Sequence, residues 1–385
     1  MSLEPDWAKI RREFPTLARK NYLNSCSLGL LSNSVKESLH RYIDSWDEYG
    51  ASAWYGSWME EIGTVRERFA SLINASPDEV ALLPNISGTL AAISSSLDLG
   101  PGKQVVTTAL DFPTVAHHFL AKERLGVETT IIQSADRVKI DLAQFEAAIS
   151  EQTSLVVTSH VYFTSGYIQD VGAIVDLAHS NGALAMIDDY QSTGQVPVDV
   201  KALNTDILVT GAIKWMLGGP GTAFMYVKGD LIEKLSPTVT GWFANRDQFD
   251  FNPIEIVFRE NAARFETGTP SVSSIFSGAE GLKMINELGP EAIRQRTAEI
   301  TNHLVGRLRD EGFKLRVPDD PARHASITMV EVKDPALAVG ELAKQDIVVD
   351  HRPGAVRFSP YFYNSLEDID AVVLALCQIR EEHEI

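Results

Sequence analysis

The sequence predicts an α/β protein: a large domain built on a mostly parallel sheet, followed by a smaller α+β domain at the carboxyl end. Three observations carry this. Between about residue 62 and residue 228, apolar runs of strand length alternate with amphipathic runs of helix length, the βαβ pattern that places helices on both faces of a sheet. After residue 275 the alternation stops, and a long helical pattern leads into short strands. The chain has 385 residues, more than one hydrophobic core usually serves.

In chain order the strand candidates are QVVTTA (104 to 109), VETTII (127 to 132), SLVVTS (154 to 159), ALAMID (183 to 188), DILVTG (206 to 211) and TAFMYV (222 to 227). Helix-length segments lie between several of them. TVAHHFLAKERLG is one and DVGAIVDLAHSNG another, the latter ending at a glycine of the kind that closes helices. Two helical runs follow, SIFSGAEGLKMINELG and PEAIRQRTAEITNHLVGRLRDEG, then the short strands ITMVEV and AVRFSP and a final helix from about Leu366. These divide the chain into a large domain over 20–275 and a small domain over 276–385, with residues 1–19 expected to pack on the small domain. No internal repeat or low-complexity tract interrupts the pattern.

Composition narrows the partners. Acidic side chains number 52 against 34 basic ones, and a net charge of −18 would be repelled by a phosphate backbone or an anionic membrane. Nucleic acid and membrane partners are therefore not expected. The two cysteines, Cys26 and Cys377, support neither a disulfide framework nor a cysteine-rich metal site, and a reducing cytoplasm fits them. The amino terminus lacks the apolar core of a signal peptide, and no run of about 18 apolar residues is present to span a bilayer. His117, His118 and His160 have no third ligand at metal spacing, so no metal is expected. The glycines at 218 to 221 follow a lysine instead of linking a strand to a helix, which argues against a nucleotide loop.

In an open parallel sheet, ligands collect at the carboxyl ends of the strands, and the chemistry-bearing residues follow strands here. Asp188 ends one, Lys214 comes just after another, Asn85-Ile86-Ser87-Gly88 follows EVALLP, and Asp111-Phe112-Pro113 follows a fourth. Each has a plain reading: Lys214 as a surface lysine, Asp188 as a turn carboxylate, Ser87 as a helix cap, Phe112 as core. Together they suit pyridoxal phosphate. A lysine amine condenses with its aldehyde, an aspartate pairs with its pyridinium nitrogen, a helix amino terminus takes its phosphate, and an aromatic stacks on its ring. That assignment explains why a lysine ends an apolar strand, since the amine gives up or delocalises its charge in a Schiff base.

The chain resembles the class V aminotransferase group of fold-type I pyridoxal-phosphate enzymes, which includes cysteine desulfurases, kynureninase and isopenicillin N epimerase. The segments that carry the resemblance are YLNSCSLGLL (22 to 31), PNISGT (84 to 89), DFPTV (111 to 115), SHVYFTSGYIQDV (159 to 171), MIDDYQSTGQVPVDV (186 to 200), GAIKWMLGGPG (211 to 221), GWF (241 to 243), RFETGTPSV (264 to 272) and VRFSPYFYNSLEDID (356 to 370). The resemblance implies Lys214 as Schiff-base lysine and proton carrier, and Asp188 as partner of the pyridine nitrogen. It implies Gln191 on the phenolic oxygen, Ile86 and Ser87 on the phosphate, and Phe112 on the ring. Thr269 would reach the phosphate of a neighbouring subunit, and Trp242 reads either as a partner-subunit contact near that phosphate or as a core aromatic. Arg357 would grip the α-carboxylate of an amino-acid substrate.

Departures from the group bear on the reaction. The loop VDHRPGAVR lacks the nucleophilic cysteine of a desulfurase. Ile213 and Gln191 replace the tyrosine and histidine that the resemblance to kynureninase implies. Gly211 stands where many relatives carry a hydroxyl ligand for the phosphate, leaving Thr210 or a backbone amide to substitute. Cys26 reads as packing. The expectation is a cytoplasmic homodimeric aminotransferase acting on an amino acid and a 2-oxo acid, with lyase, kynureninase-like hydrolase or epimerase chemistry as alternatives, and a non-catalytic protein that keeps the fold as the reading from another class.

Overall fold

A computed structural model describes residues 5–383. The outermost ends of the ranges anticipated for the small domain, 1–4 and 384–385, lie outside the described residues.

A short strand β1 (Asn21–Tyr22) precedes the main sheet, whose seven strands are β2 (Val80–Leu83), β3 (Gln104–Thr108), β4 (Glu128–Ile132), β5 (Thr153–Ser159), β6 (Leu184–Asp188), β7 (Ile207–Gly211) and β8 (Ala223–Val227). Their order across the sheet is β2-β8-β7-β6-β5-β3-β4. All neighbours pair in parallel except β8, which runs antiparallel to both β2 and β7. The expected α/β architecture with a mostly parallel sheet is present. The reversal at β8 has a local cause: the 212–222 segment that carries Lys214 contains no helix, and a parallel crossover normally needs one. β7 and β8 are buried along their whole length, as central strands covered on both faces should be.

The carboxyl-terminal part holds β9 (Leu315–Arg316), β10 (Thr328–Glu331), β11 (Ile347–Val348), β12 (Asp350–Arg352) and β13 (Ala355–Phe358). Four of these form an antiparallel sheet in the order β12-β13-β10-β9. Helices Pro290–Asp310, Pro335–Lys344 and Leu366–His383 pack with it around their own apolar cluster. The amino-terminal segment is tied to this part: β1 pairs in parallel with β11, Arg11 forms an ion pair with Asp368 at 2.6 Å, and Asn21 donates to the Asp368 carbonyl.

The expected boundary between residues 275 and 276 falls inside a continuous helix, Val272–Leu288. Its buried face packs on helices Asn33–Tyr49 and Ser57–Leu72, through bonds such as Ser38 Oγ to the Phe276 carbonyl at 3.0 Å and Arg68 Nη1 to the Ala279 carbonyl at 2.7 Å. Gly289, at φ 83°, then breaks the chain into the next helix. Packing therefore favours a division at Gly289. No helix among the described residues is long and apolar enough to cross a membrane.

Candidate active site

The parallel strands of the main sheet deliver their carboxyl ends to one edge, and the site is built there. After β2, Asn85 caps the helix Ile86–Ser94: its side-chain oxygen accepts the Gly88 N–H at 2.8 Å. Asn85, not Ser87, is therefore the cap, which leaves the Ser87 hydroxyl free to face outward. It meets Thr114 Oγ1 at 2.7 Å, so two hydroxyls from the first turns of two helices stand together. Phe112 precedes the second helix, Pro113–Leu120, and is 46% exposed, so it is not a core aromatic. Its ring meets Phe163 edge-on at 5.3 Å.

Asp188, at the end of β6, is 4% exposed. Its sole hydrogen-bond donor among the described residues is the Tyr190 amide, at 3.0 Å from Oδ1. Burial pushes its acid constant up to about 7, and the neighbouring Asp111 carboxylate adds to the rise. Asp111 is itself buried, but the Thr108 and Ser159 amides and the Thr107 hydroxyl all donate to it. Asp188 is thus an under-satisfied buried carboxylate, a group that calls for a cationic N–H partner.

Lys214 follows β7 within a loop held from both sides. Ala212 N–H donates to the Thr222 carbonyl at 3.1 Å, and Gly29 N–H donates to the Ile213 carbonyl at 2.8 Å. That approach explains the glycine of SLGLL, because a Cβ at position 29 would lie 2.2 Å from the Lys214 carbonyl oxygen. The amine sits 4.3 Å from the Tyr190 ring centre and 5.8 Å from that of Phe112. Burial holds its acid constant down at about 8, against which the Asp188 charge pulls upward.

Gln191 has its amide orientation fixed by chemistry. Trp215 Nε1 can only donate, so the atom it meets at 2.9 Å must be the amide oxygen; the Cys26 carbonyl can only accept, so the atom 3.1 Å from it must be the amide nitrogen. One N–H of Gln191 is left over. Cys26 is buried in the apolar cluster, as its packing reading required, and contributes to the site through its carbonyl.

Ile86, Ser87, Phe112, Asp188, Gln191 and Lys214 line one cavity of about 270 Å³. The structure brings these six sequence-singled residues together and leaves three outside. Thr269 lines a neighbouring cavity with Pro84 and Thr222. Trp242 is 42% exposed and stacks on Phe251 at a surface pocket, so it is not a core aromatic. Arg357 is 1% exposed and paired: its Nε and Nη2 donate to the two oxygens of Asp350 at 2.8 and 2.6 Å.

Two features escaped sequence reasoning. Tyr190 fills the space beside Gly211: a Cβ there would lie 2.4 Å from the Tyr190 ring and 2.5 Å from its hydroxyl. Thr210, considered as a substitute ligand, is fully buried and donates to the Asp189 carbonyl at 3.3 Å, so the hydroxyl near position 211 belongs to Tyr190. The second is Asp350, unremarkable in VDHRPG until the sheet pairs it with Arg357. Two of the three histidines set aside earlier are engaged elsewhere: His160 bonds Asp189 at 2.9 Å and His118 bonds Ser94 at 2.8 Å.

A lysine with a depressed proton affinity, a buried carboxylate short of a partner, a spare amide donor, and paired hydroxyls at two helix amino termini fit the aldehyde, ring nitrogen, phenolic oxygen and phosphate of pyridoxal phosphate. The fold and this donor set define a pyridoxal-phosphate enzyme of fold type I. The comparisons with known proteins agree. The family model for class V aminotransferases matches residues 34–372, and the chain belongs to this pyridoxal-phosphate-dependent family of enzymes that act on amino acids. It is 35% identical over 361 residues to an uncharacterized aminotransferase of Bacillus subtilis, covering 93% of this chain and 94% of that one. It is 27% identical to a kynureninase of Geobacillus thermodenitrificans, covering 97% and 91%. Its fold matches a cysteine desulfurase of Thermococcus onnurineus with a TM-score of 0.90 at 22% identity, covering 99% and 100% of the two chains.

Proposed function

We propose that the chain is an aminotransferase that moves an amino group from an amino acid to a 2-oxo acid. The observation that carries this reading is the titratable content of the cavity. Its lining includes Asp188, Tyr190 and Lys214, and no cysteine or histidine. Asp188 is committed to the ring nitrogen and Tyr190 is held in its phenol form by an acid constant near 12, so Lys214 Nζ is the group able to take and return a proton at neutral pH. Transamination would need one such group placed to take a proton from the substrate's Cα and to return it, and Lys214 Nζ would serve. One proton carrier suits transamination, whereas epimerisation calls for a base on each face of the substrate.

Pyridoxal phosphate, when bound, supplies the electron sink. The chain's own residues do the rest. Ile86 and Ser87 N–H groups, with the Ser87 and Thr114 hydroxyls, would hold the phosphate; Gln191 would donate its spare N–H to the phenolic oxygen; Phe112 would cover the ring; Asp188 would keep the ring nitrogen protonated. Thr269 and Trp242, outside this chain's cavity, are assigned to the cavity of a second copy in a homodimer. Two free cysteines suit a cytoplasmic setting.

The test is a two-stage half reaction on purified yellow protein. An amino acid alone should bleach the colour and release its 2-oxo acid, and a second 2-oxo acid should restore the colour and yield a new amino acid. Ammonia, a shortened carbon skeleton or simple racemisation would identify lyase, hydrolase or epimerase chemistry instead. A colour insensitive to every amino acid would leave the fold without the turnover.

A further inference from the structure

Resting on the reading of this cavity as a pyridoxal-phosphate site, we propose that the Tyr190 hydroxyl is a phosphate ligand, brought across from β6 to the place that Gly211 leaves empty on β7. Asp188 and Tyr190 share one turn: the Tyr190 N–H donates to Asp188 Oδ1 at 3.0 Å. The Tyr190 side chain then crosses to the neighbouring strand, β7, which pairs in parallel with β6. Its far end lies where a side chain at position 211 would begin, since a Cβ there would be 2.4 Å from the ring and 2.5 Å from the hydroxyl oxygen. The glycine is the room that the phenol needs.

The direction of that side chain decides which group of the cofactor it reaches. Along this part of the sheet the order is β2-β8-β7-β6. Asp188, on β6, marks the ring-nitrogen end of the site. The helix Ile86–Ser94, which follows β2 and presents Ser87 in its first turn, marks the phosphate end, and it packs over β7 and β8. Tyr190 runs from the first toward the second, and its ring packs on the same apolar cluster as Ile86 and Val209.

The chemistry of the hydroxyl agrees with its position. Among the described residues nothing hydrogen-bonds to it, and Tyr190 lines the cavity together with Ser87 and Thr114. A ring nitrogen kept protonated by Asp188 has no lone pair to offer, and the phenolic oxygen already has the Gln191 N–H. A phosphate has three acceptor oxygens, so it has room for a further donor, and a hydrogen bond to an anion is the stronger kind. Burial and the Asp188 charge hold the Tyr190 phenol up near 12, so it keeps its proton wherever the phosphate is doubly charged. The ring face meanwhile carries the Lys214 amine, 4.3 Å from its centre, a contact that phenylalanine would preserve. The hydroxyl can therefore be tested apart from the ring.

The experiment measures binding of pyridoxal phosphate, and of pyridoxal, which lacks the phosphate, to the cofactor-free protein by absorbance titration. Tyr190→Phe should weaken pyridoxal phosphate at least about tenfold and leave pyridoxal within about threefold of the parent. A residue that only shaped the pocket would move both ligands alike. Inorganic phosphate, titrated as a competitor of pyridoxal phosphate, should lose affinity in the same variant. A second pair of variants moves the hydroxyl back to β7: Gly211→Ser with Tyr190→Ala should bind pyridoxal phosphate at least about tenfold more tightly than Tyr190→Ala alone, with no such gain for pyridoxal. Parental affinity for pyridoxal phosphate in Tyr190→Phe, or an equal loss for both ligands, would overturn the proposal and leave the cofactor reading intact. A parent protein that binds neither pyridoxal phosphate nor pyridoxal would sink the cofactor reading itself, and this proposal with it.

Discussion

Replacing Asp188 by asparagine should stabilise the cofactor-free protein and disable the enzyme. Asp188 is buried, and its acid constant sits near 7 against an ordinary value of 3.8. A carboxyl whose folded-state value is raised contributes its full stability below the unfolded value, and that stability is lost as pH rises through the folded value. Roughly three units at about 1.4 kcal/mol each set the loss at about 4 kcal/mol by pH 8, with less than half of it incurred by pH 5. Asparagine keeps the shape and can still accept the Tyr190 N–H, but it carries no charge at any pH. In the absence of cofactor the variant should therefore unfold at higher urea than the parent at pH 8, with a smaller gap at pH 5 and none near pH 3.5. Adding pyridoxal phosphate should reverse the order at pH 8, because the protonated ring nitrogen would supply the cation that Asp188 lacks. Amino-group exchange by the variant should fall even at saturating cofactor. A cofactor-free variant less stable than the parent at pH 8, or a gap that does not change with pH, would refute this account of Asp188.

Three further outcomes follow from the same geometry. With a pKa near 8, Lys214 is about 9% neutral at pH 7 instead of about 0.03% for an ordinary lysine, so its condensation with added pyridoxal phosphate should rise with pH, be half-maximal near 8 and level off by about pH 10; a half-maximum above pH 10 would contradict the depression. Gly211→Ala drives a methyl to within 2.4 Å of the Tyr190 ring and should cost about 1–3 kcal/mol in urea unfolding, a loss largely recovered in the Gly211→Ala, Tyr190→Ala double variant relative to Tyr190→Ala alone; strictly additive losses would mean that the two do not compete for space. Trp215→Phe leaves the Gln191 amide oxygen buried without its donor, which should cost about 1–3 kcal/mol and weaken pyridoxal phosphate in a direct titration; unchanged affinity would remove Gln191 from the cofactor's contacts.

The sequence by itself determined the strands of the main sheet to within one residue at each end, and with them which side chains gather at the sheet's carboxyl edge. Apolar runs and their turn residues are local signals, and a parallel sheet sends whatever follows its strands to one edge. Asp188, Lys214, Phe112 and the Ser87 turn had to converge once the sheet formed. What only the tertiary structure decided lies where partners are far apart in the chain. Ser27 meets Asp350 across 323 positions, and Tyr190 takes the volume that Gly211 leaves empty. The helix from Val272 is another case: it reads as the start of a new pattern, but its apolar face is covered by helices more than 200 positions earlier, at Ser38 and Arg68. Whether Arg357 is free to hold a ligand depends on which carboxylate the small sheet sets opposite it. That is a matter of strand register, and no local pattern encodes which distant strand will lie alongside.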